Sequence, residues 1–319
     1  MLRPVIDVAV FGNEGVLSSS PEILAANPPL SVEVDLTEGV SIAPVFRSVG
    51  DYVIDLCSPH NLKPAPVRQF RPLYAFIRSD DAEETAYTWD PSERLQMAIT
   101  LSRLAHPTSM GYEYSARLFI EGDPPDVVQA MVGPINSFGA LTYVTPDPAF
   151  GRNWLTKTDA KLTRRLMEQF YASEGTRPRR LTRAIWFHEY TARTYHLDLR
   201  WVVVVQGLEA LINVSDRRSR QQFRTRSVAL ASECGVPWSD ADAVVAYGLR
   251  SRLAHGQNVE DATDHDIAVY MRMETLLRVA VRTALLDAQF RQVFSEDDLI
   301  RARWPLPPVA PGQEPPEPA

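Results

Sequence analysis

SDADAVVAYGLRSRLAHG, residues 239–256, is the stretch around which the rest of this chain is organised. Ser239 and Asp242 have the spacing of a capping box, in which each side chain satisfies the other residue's free backbone N–H at a helix start. Val244, Val245 and Leu249 continue the apolar period, and Gly256 is placed to end the helix in the left-handed conformation. Near that end stand a permanent cation, Arg250, and a titratable imidazole, His255, five residues apart. A guanidinium can hold two phosphate oxygens and stabilise charge that grows on them. An imidazole can move a proton near neutral pH. The competing reading is a solvated arginine and a histidine capping the negative end of the helix dipole. Five helical residues turn a side chain by about 500°, which leaves the two groups about 140° apart unless the helix unwinds before His255.

Outward from this stretch the pattern stays helical. Thr263 with Asp266 repeats the capping-box spacing and opens a long final helix carrying Ile267, Tyr270, Met271, Leu277, Val281 and Leu285 on one side. Ser219 with Gln222 reads as a third box, for a helix ending near Gly235. Leu197–Asn213 places Trp201, Val204, Val205, Leu208, Leu211 and Ile212 at helical spacing. Asp159–Ala172 and Leu181–Tyr195 precede it, separated by Gly175-Thr176-Arg177-Pro178. Residues 155–295 therefore predict an all-α up-and-down helical bundle.

Thr145-Pro146-Asp147-Pro148 and Gly151 mark a junction, before which the period changes from 3.6 to 2. Val5–Phe11, Leu30–Leu36, Arg117–Glu121 and Ala140–Val144 read as strands. A helix starts at Asp90-Pro91 with Glu93 in box position and runs to His106-Pro107. Residues 1–148 thus predict an α+β domain, and this half contains no phosphate-binding glycine loop or paired-histidine metal motif. Its expected role is recognition, or else scaffolding of a dimer or cover for the second domain. Ser102–His106 repeats the five residues Ser251–His255, but Leu101 stands where Arg250 would be, so His106 reads as a helix-end residue.

The net charge of −7 is unevenly spread. Residues 1–150 hold 9 basic and 19 acidic side chains, residues 151–230 hold 16 and 7, and residues 231–319 hold 8 and 14. A basic island inside an acidic chain is the footprint of a polyanion contact, or of several solvated helix faces. Cys57 and Cys234 build no disulfide framework, and the Cys57–His60 pair has no second ligand pair, so no metal and no cofactor is expected. The chain shows no export signal and no apolar run near about 18 residues, which predicts a cytoplasmic protein with no membrane contact. Residues 304–319, from Trp304 through a proline-rich acidic run, predict a disordered tail.

Four features in order resemble the HEPN family of metal-independent ribonucleases, in particular its ApeA-like branch: Gly207-Leu208-Glu209-Ala210-Leu211, Phe223 to Arg226, Tyr247 to Gly256, and the long closing helix. The similarity covers about residues 160–295. It implies a HEPN-like fold and an endoribonuclease in which Arg250 clamps the scissile phosphate and His255 is general base or acid. In such proteins the pair lines a cleft between two subunits, which implies a homodimer with a composite site. The 2′-hydroxyl is already adjacent to phosphorus, so this chemistry needs no metal. Many family members carry Asn, Asp or His after the arginine, whereas this chain has Ser251, which retains hydrogen-bonding capacity.

Arg252 is either a substrate contact or a surface residue. Arg217, Arg218, Arg220 and Arg224 form the densest basic run and are the expected RNA path. Arg226 reads as structural, paired with Glu209, and Tyr247 and Gly256 as structural neighbours of the site. The two functional expectations are an RNA-cleaving effector of defence or toxin type, and a non-catalytic HEPN module that binds nucleotide or RNA or dimerises.

Overall fold

The computed structural model describes residues 5–11, 20–37, 39–44, 74–79, 91–108, 112–121, 126–133, 152, 154–194, 196–214, 218–256 and 263–308. The chain divides into two compact units, Met1–Ala172 and Ser173–Ala319. The first is α+β and the second is helical.

In the first unit, β1 (Val5–Phe11), β2 (Val34–Thr37), β3 (Val40–Pro44), β4 (Tyr74–Ser79), β5 (Tyr112–Glu121) and β6 (Asp126–Gly133) form one antiparallel sheet of order β2-β3-β4-β1-β5-β6. The alternating Val5–Phe11 run forms the inner strand β1, with Val8 opposite Ile77 on one side and Ala116 on the other. The strand expected over Leu30–Leu36 begins later, at Val34. The Leu30 N–H donates to the Leu155 carbonyl at 3.1 Å, so its backbone is engaged outside the ladder. Thr37 pairs with Val40 across a tight turn, where Gly39 supplies the positive φ of 71° such turns need. The expected strand Ala140–Val144, Asp90, the junction at 145–151 and the Cys57–His60 pair lie outside the described residues.

Helix α1 (Pro21–Ala26) is short, and α2 (Pro91–Ala105) and α3 (Lys157–Ala172) pack against the β2–β4 side of the sheet and against each other. Leu95, Ala98, Ile99, Leu101 and Leu104 of α2 and Leu166, Met167 and Phe170 of α3 are buried there. The sequence placed α3 in the helical half; its buried face instead covers β2 and α2, so the helix belongs to the first unit. His106 ends α2 as expected, buried, with its ring 3.3 Å from the Arg152 carbonyl.

The second unit contains α4 (Arg179–Arg193), α5 (Leu197–Ile212), α6 (Ser219–Cys234), α7 (Asp240–Ala254), α8 (Asp264–Leu286), α9 (Ala288–Gln292) and α10 (Asp297–Arg303). The apolar periods of α5 and α8 are the reason for its packing: Trp201, Val204, Leu208 and Leu211 meet Val269, Tyr270, Met273, Leu277 and Val281 in a core with no measurable exposure. Gly207 permits the close approach of α4, α5 and α8, since a Cβ there would stand 2.7 Å from a Leu277 methyl and 3.1 Å from Phe187 Cβ. Among the described residues no helix is long and apolar enough to cross a membrane.

Trp304 was expected to begin a disordered tail, and the structure corrects this. Its indole is buried against Phe290 of α9 and Phe294 just beyond it, and donates to Glu233 Oε1 at 2.9 Å. Residues 309–319 lie outside the described residues.

Candidate functional site

Helix α7 is held at its start by the expected capping box. Ser239 Oγ accepts from the Asp242 N–H at 3.1 Å, and Asp242 Oδ2 accepts from the Ser239 N–H at 2.8 Å. Asp242 Oδ1 also accepts from Arg272 Nη2 at 2.5 Å, which locks α7 onto α8. The helix then runs unbroken to Ala254. His255 sits at its end at φ −96°, ψ 15°, and Gly256 takes φ 77°, the left-handed stop its position predicted.

Four residues before that end, Arg250 Nη2 donates to Glu209 Oε2 of α5 at 3.3 Å. The guanidinium carbon stands 5.7 Å from the centre of the Tyr247 ring, within cation–π range. Tyr247 in turn lies on Phe223 of α6, with ring centres 5.4 Å apart. The Arg250 side chain is 29% exposed, yet its Nε is buried without an acceptor. A carboxylate and an aromatic face thus hold the cation, while its Nε makes no hydrogen bond.

Burial pushes the Glu209 carboxyl above its ordinary value, and this outweighs the opposing pull of Arg250. Burial, and then the neighbouring Glu209 charge, raise the Tyr247 phenol, so it stays protonated at neutral pH. Arg220 opposes that rise, which places its charge in the same neighbourhood.

The sequence paired Glu209 with Arg226, and the structure replaces that pairing with Glu209–Arg250. Arg226 is structural but uses neutral acceptors: Ile212 O at 2.8 Å, Gln222 Oε1 at 2.5 Å and Trp304 O at 3.1 Å. Only 2% of the residue is exposed. Its pKa is lowered by burial first and by Arg301 and Arg180 next. The expected Ser219–Gln222 capping box is absent for the same reason. Gln222 is turned inward to accept from Arg226 and from the Val214 N–H, and Arg218 precedes the helix in the left-handed conformation at φ 58°. Arg226→Ala is expected to cost about 3 kcal/mol, since bonds to a buried charge are each worth about 1.5–3 kcal/mol. Urea denaturation would show this as a lower midpoint, with Trp304 fluorescence lost early.

The basic run is largely committed internally. Arg224 makes a bidentate pair with Asp240, and Arg218 donates to Gln221 Oε1 at 2.6 Å and to Pro307 O at 3.2 Å. Arg217 lies outside the described residues. Arg220 is exposed and is the member of the run beside Tyr247. Ser251 is half-buried and Arg252 exposed, its carbonyl accepting the His255 N–H at 3.1 Å.

His255 is exposed and caps the end of α7. The helix runs unbroken from Arg250 to Ala254, and an ideal helix continued one residue further would set the two side chains about 140° apart. Phe223, which underlies Tyr247, was readable only as part of a motif and not as a support for the site. No family model, curated protein or solved structure matches the chain.

Proposed function

We propose that the helical unit is a HEPN-like bundle and that the protein is a metal-independent endoribonuclease, with Arg250 as phosphate clamp and His255 as proton-transfer group. The observation that carries this reading is the state of Arg250: fixed by Glu209, braced on Tyr247, and still 29% exposed to a ligand. A guanidinium held this way is preorganised for charge that develops on phosphate oxygens. In the reaction the ribose 2′-oxygen attacks phosphorus and gives up its proton, the P–O2′ bond forms, and the P–O5′ bond breaks as O5′ takes a proton. The products are a 2′,3′-cyclic phosphate and a 5′-hydroxyl. Two proton transfers need two groups or one group used twice. A homodimer that faces two copies of α7 would supply two His255 rings and close the angular gap to Arg250.

The α+β unit would then restrain the nuclease until it meets a cellular or phage trigger, as in a defence or toxin effector. A second reading is favoured by Ser251 and by the five-residue spacing, which on an ideal helix turns Arg250 and His255 about 140° apart: a bundle that binds RNA or nucleotide, or dimerises, without cutting. Incubating purified wild type and His255→Ala with total RNA in excess chelator separates the two. Cyclic phosphate and 5′-hydroxyl ends from wild type alone support the nuclease; no cleavage, even with lysate from infected cells, supports the binding module.

Glu209 has a positioning role in this scheme. Its raised pKa means that the ionised form is disfavoured on folding, so its contribution to stability declines as pH rises from the ordinary carboxylate value toward the raised one. Glu209→Gln is therefore expected to raise the melting temperature slightly at pH 7. The same change loosens Arg250 and lowers kcat about tenfold with KM unchanged.

A further inference from the structure

Helix α4 carries a stripe that the site at Arg250 does not use. Arg179, Arg183, Trp186 and Tyr190 are all exposed, and their spacings of four, three and four residues place them within about 60° of arc. The buried residues of the same helix, Leu181, Ala184, Ile185, His188 and Ala192, occupy the opposite side. Trp186 and Tyr190 leave their large aromatic side chains exposed, at 38% and 58%. Among the described residues neither arginine has a carboxylate partner: the acidic residue of α4, Glu189, is buried and bonded to Arg193 Nε at 2.7 Å. The solvent face of this helix therefore combines two rings and two uncompensated cations along about 16 Å.

We propose that this stripe binds single-stranded RNA, with Trp186 and Tyr190 stacking on bases and Arg179 and Arg183 meeting the backbone phosphates. The choice of RNA as ligand rests on the function proposed above. Cations without carboxylates call for an anionic partner, and flat exposed rings call for a partner with open π-faces. A single strand presents both, whereas a duplex hides its base faces in its own stack. A second copy of the chain fits less well, because a self-complementary contact would bring four arginines and no carboxylate into one interface. The same comparison explains why the run at Arg218–Arg226 is a poorer track: Arg224, Arg218 and Arg226 already have internal partners.

The test is fluorescence anisotropy of a labelled 12-nucleotide oligouridylate with the full-length chain, in the His255→Ala background to prevent cutting. Trp186→Ala with Tyr190→Ala is expected to weaken binding at least tenfold, since each stacked base contributes strongly. Trp186→Phe with Tyr190→Phe should restore it to within about threefold, because the π-faces return. Arg179→Ala with Arg183→Ala should reduce the slope of log affinity against log salt by about 1.4, the value for two single-strand phosphates. Unchanged affinity in the ring and arginine variants overturns the stripe, as does equal binding of a 12-base-pair duplex, or absence of binding by the His255→Ala parent. So does a shift from dimer to monomer on loss of the rings with no change in RNA affinity. Wild-type cleavage is scored separately: cutting without stripe-dependent binding leaves the nuclease standing, and stripe-dependent binding without cutting leaves the stripe standing.

Discussion

Arg250→Ala is expected to slow RNA cleavage by about 10²–10³-fold, the usual loss when one preorganised donor to a developing oxyanion is removed. His255→Ala should lose about 10²–10⁴-fold, the usual size of general acid–base assistance. Arg250→Lys is the sharper test. Lysine keeps the charge but not the planar fork, and it cannot at once hold the Glu209 carboxylate and present two donors to a phosphate. It is expected to bind RNA within a few-fold of wild type while kcat falls about a hundredfold. Single-turnover kinetics on a defined oligonucleotide would check this. Full kcat in Arg250→Lys would show that Arg250 acts only as a charge, and full activity in Arg250→Ala would remove the site. Light scattering adds the structural side: a strictly monomeric active enzyme would contradict the composite arrangement.

The largest expected loss of stability lies in the first unit, at Asp159. Its carboxylate accepts from Arg152 at 2.6 and 3.0 Å, and from the Thr156 N–H and hydroxyl at 2.7 and 2.6 Å, with both charged side chains nearly buried. Arg152 also donates to the Trp154 carbonyl, and Trp154 Nε1 donates to the Asn27 carbonyl at 2.8 Å. The pair thus ties the start of α3 to the chain that precedes it. Asp159→Ala leaves a buried guanidinium uncompensated and is expected to cost about 3–5 kcal/mol. Burial by itself would raise this carboxyl, but the bonds from Arg152 and Thr156 prevail and hold it below its ordinary 3.8. The stability it provides is therefore complete above that value and is lost as pH falls through the lower folded-state value. Thermal melts from pH 6 down to pH 2 should show wild type converging on Asp159→Ala at the acid end; a constant gap would show that ionisation of Asp159 is not the source of the stability, and coincident curves would mean that the pair contributes nothing.

Much of the helical unit could be read from local signals. The capping boxes at Ser239–Asp242 and Thr263–Asp266 and the stops at Gly235 and Gly256 were identified from spacing alone and are present. These devices act over three or four residues, so the information they need lies inside the window being read. The alternation of Val5–Phe11 is a signal of the same range, and it forms a strand over those residues.

The errors share a different cause. Gln222 has a capping residue's spacing but lies beside Arg226, whose burial needed its side-chain oxygen more than the helix start did. Asp159–Ala172 has a good helical period, and period cannot say which surface its apolar side will cover. At the site, Glu209 and the two arginines were all identified, but which arginine takes the carboxylate depends on how α5, α6 and α7 cross, over separations of 41 residues for Arg250 and 17 for Arg226. Local spacing set where the helices begin and end and which residue types could do phosphate chemistry. Packing assigned their partners, because a buried charge takes whichever acceptor the neighbouring helices bring within about 3 Å.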